Sequence, residues 1–129
     1  MSSALAETCR VRVFPGDNYP GPTVKRRDAA PFVLGDERDA QVLAALANAM
    51  RLRSEPESPR LMSWPAVIFE LRDADDQVVG VVSWIFPNRL RVDDTGGDVP
   101  LAEPEALVRW LHQAAPDAAA LVNARRAAP

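Results

Sequence analysis

The stretch PAVIFELRDADDQVVGVVSWIFPNRLRV, residues 65–92, decides how the rest of the chain must be arranged. Ala66 to Arg72 and Gln77 to Phe86 are rich in β-branched and aromatic residues, and Asp73-Ala74-Asp75-Asp76 between them is a turn sequence. Pro87-Asn88-Arg89 turns the chain again into Leu90-Arg91-Val92, so the stretch reads as a three-stranded meander. A four-residue first loop pairs Leu71 with Val78, Phe69 with Gly80 and Val67 with Val82, laying Phe69 over the bare backbone of Gly80. A three-residue second loop pairs Phe86 with Leu90 and Trp84 with Val92. A two-residue loop would set Arg89 and Arg91 beside the aromatics, and Pro87 cannot adopt the positive φ of a type I′ turn. This register gathers Val67, Phe69, Leu71, Val78, Val82, Trp84, Phe86, Leu90 and Val92 on one face, the expected core. The other face carries Ile68, Val79, Val81 and Ile85 among Glu70, Arg72, Gln77, Ser83 and Arg91.

Working outward, Thr8 to Phe14 also alternates. Cys9, Val11 and Val13 share one side, and Arg10 and Arg12 take the other, which predicts a half-buried strand with Cys9 as an inert buried thiol. The proline- and glycine-rich segment Pro15 to Pro22 stops that strand. Val24 to Arg27 and Pro31 to Leu34 are expected to be short extended pieces. Residues 36–53 predict a helix capped by Asp36, with Val42, Leu43, Leu46, Ala49 and Met50 at helical spacing and prolines beyond its end. After an acidic loop at Asp93, Asp94 and Asp98, residues 103–115 predict a second helix. Pro104 starts it, and Leu107, Val108 and Leu111 form its apolar face. Asp117 begins a short C-terminal helix with Leu121 and Val122. The expected fold is α+β: an antiparallel sheet of four to five strands, made of the 66–92 meander plus the N-terminal strand, with these helices packed on it. The chain reads as one domain, 1–129, with residues 1–7 and 127–129 as frayed ends.

Composition narrows the function classes. A chain of 129 residues needs neither metal nor disulfide to hold a core. A net charge of −3 disfavours nucleic-acid binding through a basic field, and Lys25-Arg26-Arg27 is an isolated basic spot. No apolar run reaches the length of a membrane span, and the first residues do not resemble a secretory signal. The single cysteine, Cys9, fits a reducing, cytoplasmic setting. Alanine and arginine are abundant and Lys25 is the only lysine, a bias that suggests a GC-rich bacterial genome. His112 is the only histidine, and no metal-ligand spacing or phosphate loop is present. The expectation is therefore no catalytic residue, no metal and no cofactor.

Two features remain. Asp73, Asp75 and Asp76 form an acidic turn whose side chains either cap local backbone or face a basic partner. Ile68, Val79, Val81 and Ile85 form an apolar strip that either lies under a covering layer or docks another chain. These seven residues suggest a non-catalytic protein-binding module of inhibitor, immunity or adaptor type, whose partner is another protein chain or a second copy in a homodimer. The alternative is a small-molecule binder, or an enzyme using carboxylates and arginines, with a pocket near residues 15–27 lined by Tyr19, Arg26 and Trp64.

Overall fold

A computed structural model describes residues 2–21, 29–53, 58–59, 65–85, 87–92 and 97–127. In chain order these form α1 (Ser2–Glu7), β1 (Arg10–Pro15), a 3₁₀ turn (Ala30–Phe32), β2 (Gly35–Glu37), α2 (Ala40–Ala49) and β3 (Ser58–Pro59). They continue with β4 (Val67–Arg72), β5 (Val78–Ile85), β6 (Arg89–Val92), β7 (Gly97–Pro100), α3 (Pro104–Ala114) and α4 (Pro116–Ala127). The strands make one seven-stranded sheet in the order β2-β1-β4-β5-β6-β7-β3, antiparallel at every pairing. The fold is α+β, as the sequence suggests. The additional strands are short pieces, β2 and β3 at the two edges and β7 next to β3, that carry little alternation of their own.

The meander is present, with its faces as expected except at Val78 and Val79, but its register differs. Phe69 pairs with Val82, Val67 with Trp84 and Leu71 with Gly80, a shift of two residues absorbed by a bulge between Leu71 and Arg72. Asp76 adopts φ of 62°, a left-handed conformation that aspartate tolerates and that helps the turn accommodate the bulge. A shift of two leaves the side chains from Gly80 onward on their original faces, because strand side chains repeat with period two. Beyond the bulge the faces exchange, so Val78 pairs with Arg72 and Val79, expected on the second face, packs against the main core. Gly80 is covered by Leu71 and by Ala4 of α1 instead of Phe69. The second loop is odd-numbered as argued, but Trp84 pairs with Leu90 and Ile85 with Arg89. Phe86 lies outside the described residues.

The core forms on one side of the sheet. Val11, Val13, Val67, Phe69, Leu71, Val82, Trp84 and Leu90 pack against Leu46 and Met50 near α2, Leu107 and Leu111 of α3, and Ala118 and Val122 of α4. Fully burying an aromatic or aliphatic side chain of this size stabilises the fold by about 1.5–3 kcal/mol, so this face holds most of the stabilisation. Trp110 joins the layers: its ring lies edge-on to Phe69 with centroids 6.2 Å apart, and its Nε1 donates to the Val42 carbonyl at 2.9 Å.

Several local expectations are corrected. The first helix starts at Ala40 because Asp39, not Asp36, accepts the N–H groups of Gln41 and Val42. Gly35 to Glu37 instead pairs with β1, placing Asp36 beside Arg10. The helix ends at Ala49, and residues 51–53 run extended beside residues 100–102, with Arg53 N–H donating to Pro100 and Ala102 N–H to Arg51. Ala30–Phe32 is a 3₁₀ turn and not extended. The N-terminal residues, expected to fray, form α1, and Thr8 caps its end by donating to the Ala4 carbonyl at 2.6 Å. The last helix is a full twelve residues rather than a short one. Cys9 is exposed instead of buried: it precedes β1, so the alternation that buries Val11 and Val13 does not extend to it. Val24 to Arg27 lie outside the described residues. Among the described residues no helix is long and apolar enough to cross a membrane.

Candidate functional site

All the helices that contribute to the main core lie on the Phe69 side, so the second face of the sheet needs other cover. It receives it from the chain that follows β1. Phe14, Ile68 and Ala29 form a small buried cluster, with Tyr19, Val33 and Val81 packed against it. The rings of Phe14 and Tyr19 are tilted at a centroid distance of 4.9 Å. The strip expected on this face is thereby placed inside the molecule. Ile68 is 8% exposed and Ile85 0%, Val81 is half-buried beneath this cover, and Val79, at the bulged end of β5, packs against the main core. As an open docking surface the strip is corrected, because the chain itself occupies it.

Beside this cluster lies a buried ionic network. Arg12 and Glu70 are cross-strand partners on β1 and β4, with Arg12 Nε donating to Glu70 Oε1 at 2.9 Å. Arg72 donates to the same oxygen, and Tyr19 Oη donates to Glu70 Oε2 at 2.8 Å. Arg10 forks onto Asp36 and also reaches Asp76 at 3.1 Å, while Arg72 approaches Asp76 at 3.7 Å. Three arginines thus meet three carboxylates. Glu70 is 0% exposed, and no buried side-chain nitrogen or oxygen among the described residues lacks a partner. The hydrogen bond from Arg10 holds the Asp36 carboxyl below its ordinary range and raises Arg10 in return. Burial, reinforced by the hydrogen bond to Glu70, pushes the Tyr19 phenol well above its usual value. Mutual satisfaction of this kind locks a structure.

The acidic turn borders open surface. Asp73 caps its own turn, accepting from Asp75 N–H and Gln77 N–H at 2.9 Å each, and Asp76 serves the arginines. Asp75 sits exposed at the tip. Next to this turn is a polar cleft of about 250 Å³ lined by Cys9, Arg10, Arg38, Asp73, Ala74 and Asp76. Cys9 and Arg38 also border a second recess of about 320 Å³, whose other walls are Leu5, Thr8, Ala40, Leu43, Ala44 and Ala47. The two adjoin to form one groove with an apolar half between α1 and α2 and a polar half against the turn. Ala40, Leu43, Ala44 and Ala47 recur at helical spacing along α2; Leu43 is half-buried and packs in part against the core, while Ala40 and Ala44 are exposed.

A third cleft, about 430 Å³, lies between Gly16, Asp17, Pro65 and Ala66 on one side and Leu121 and Arg125 of α4 on the other. It is near the position expected for a pocket beside residues 15–27. Tyr19 is not among its walls, being committed to Glu70, and Arg26 and Trp64 lie outside the described residues. His112 on α3 faces Asn123 of α4 at 3.5 Å and lines neither half of the Cys9 groove. Among the described residues no group of three or more histidine, cysteine, aspartate or glutamate side chains could hold a metal. Asp98, expected in an acidic loop, is buried in β7 and paired with Arg91 at 2.7 Å.

Sequence reasoning missed Arg38, Leu5 and Leu43 as surface lining, and it missed the ionic network. The signal for the network was available: Arg10 and Arg12 project to the same face as Glu70 and Arg72, so opposite charges on neighbouring strands announce a covered polar face. No protein-family model, curated protein or solved structure matches this chain.

Proposed function

We propose that the chain is a non-catalytic protein-binding module of adaptor or inhibitor type, acting in the cytoplasm. Its docking surface is the groove between α1, α2 and the Asp73–Asp76 turn. The observation that carries this reading is the groove's composition: aliphatic walls on one half, where half-buried Leu5 and Leu43 lie beside exposed Ala40 and Ala44, and charged groups on the other. A surface with an apolar centre and polar rim is the usual anatomy of a protein interface. Arg12, Glu70, Arg72 and Tyr19 are spent on each other inside the second face, which supports a structural use of these groups over a catalytic one.

The test is affinity capture from the protein's own cell, followed by binding measurements with the captured protein after purification. Ala44 is exposed on α2, so Ala44→Arg should fill the recess without unfolding the helix. The purified partner should bind the native chain and bind Ala44→Arg at least tenfold more weakly. Equal binding to both would remove the groove from consideration.

The cleft beside Gly16 and Leu121 favours a second reading, a small-molecule binder, because its volume falls in the range of ligand sites and Leu121 is 40% exposed there. A thermal-shift screen against small metabolites, repeated with Leu121→Trp, distinguishes it: a shift abolished by the tryptophan supports this reading, and no shift rejects it.

A further inference from the structure

We infer that the segment held in the groove carries a carboxylate next to an aliphatic side chain, the aliphatic group entering between Leu5 and Leu43 and the carboxylate pairing with Arg38. This rests on the reading of the groove as a protein-docking surface and specifies what docks there. The argument is one of charge accounting. Arg38 borders both halves of the groove, and its guanidinium has no ion-pair or hydrogen-bond partner among the described residues. Arg10, the other cation of the polar half, is already held by Asp36 and Asp76. Of the two carboxylates of that half, Asp76 pairs with Arg10 and Arg72, and Asp73 keeps its charge while one of its oxygens accepts two backbone N–H groups of its own turn. Arg38, which feels Asp36 at longer range, is the charged side chain of the groove whose own head group makes neither an ion pair nor a hydrogen bond among the described residues, and it stands at the boundary with the apolar recess. Complementarity of charge sets which segment is accepted and in which register. Arginine's planar fork suits a carboxylate in particular. On the apolar side the alanines of α2 let a partner backbone come close, and the recess has room for a few aliphatic groups.

A displayed library of random peptides selected on the native chain tests this. The enriched peptides should share an aspartate or glutamate beside a leucine, isoleucine or valine. Their binding should perturb the backbone NMR signals of Arg38, Leu43 and Ala44. Arg38→Ala should weaken them about tenfold, and Arg38→Glu more. Changing the peptide's acidic residue to lysine should restore binding to Arg38→Glu, a rescue that general damage to the groove would not give. Arg38 is exposed, so these variants keep the fold, checked by circular dichroism. Peptides that map to the groove but carry no acidic residue, or that bind Arg38→Ala unchanged, would overturn the carboxylate assignment while leaving the groove as a docking surface. No enrichment, or signals that move only elsewhere, would overturn both. So would concentration-dependent dimerisation lost in Ala44→Arg, which would identify a second copy as the occupant.

Discussion

The two faces of the sheet are held by different physics. On the helix side, Phe69, Trp84, Val82 and Leu90 meet the apolar faces of α3 and α4 and residues Leu46 and Met50, and stability comes from area removed from water. On the other side, Arg12, Glu70, Arg72 and Tyr19 meet in fixed pairs beside the small Phe14–Ile68–Ala29 cluster. Apolar contact is forgiving about which partner fills the space, whereas buried charges demand one geometry. The second face therefore specifies how the chain after β1 must lie, and the first supplies the energy that makes the arrangement affordable.

The contrast can be broken most severely on the helix side. Phe69→Ala should cost about 4 kcal/mol in denaturant unfolding, through lost burial and the cavity left beside Trp110. That loss should be nearly independent of salt and of moderate changes in pH. Glu70→Gln keeps shape but leaves Arg12 and Arg72 buried without their carboxylate, and should cost about 3 kcal/mol. Equal losses for Glu70→Gln and an exposed carboxylate such as Asp75→Asn would show that the network contributes nothing special.

Tyr19 sharpens the comparison further, and it is the only tyrosine, so its titration can be followed by absorbance. Its folded pKa is raised by burial and by the bond to Glu70. Its contribution is accordingly complete below the unfolded value of about 10 and is lost as pH rises beyond it. Tyr19→Phe should be less stable than the native chain by about 1–2 kcal/mol near neutrality, and the difference should shrink in strong base. Asp36 acts at the other end of the scale. Its folded pKa is lowered by the bond from Arg10, so its stabilisation is present above about 3.9 and fades as pH falls through the lower folded value. Because the carboxylate is partly exposed, this is the smallest effect. The gap in melting temperature between the native chain and Asp36→Asn should close in acid.

What could be read beforehand follows from which signals survive small errors. The faces of β4, β6 and most of β5 were legible because a two-residue register shift leaves period-two alternation intact; the unforeseen Leu71–Arg72 bulge exchanged only Val78 and Val79. The 104–114 helix was legible from Pro104 and the spacing of Leu107, Val108 and Leu111. The start of α2 was not, because Asp36 and Asp39 are equally good caps in sequence and only the pairing of β2 with β1 decides between them. The short strands β2, β3 and β7 have too few residues to show any period. The groove was illegible for a different reason. It joins Leu5, Cys9, Arg38 and the Asp73 turn, which are brought together by tertiary packing and by no local pattern.

The central claim is that the second face of the sheet is sealed by the chain after β1, which moves any docking surface elsewhere. Thiol labelling of Ile68→Cys in a Cys9→Ser background tests it most directly, because the introduced thiol then reports alone from within the cluster it forms with Phe14, its cross-strand neighbour, and Ala29. With circular dichroism confirming the fold, the thiol should resist a bulky maleimide until the protein is unfolded by denaturant. Rapid labelling of the folded protein would contradict the claim and return Ile68 and Val81 to the surface.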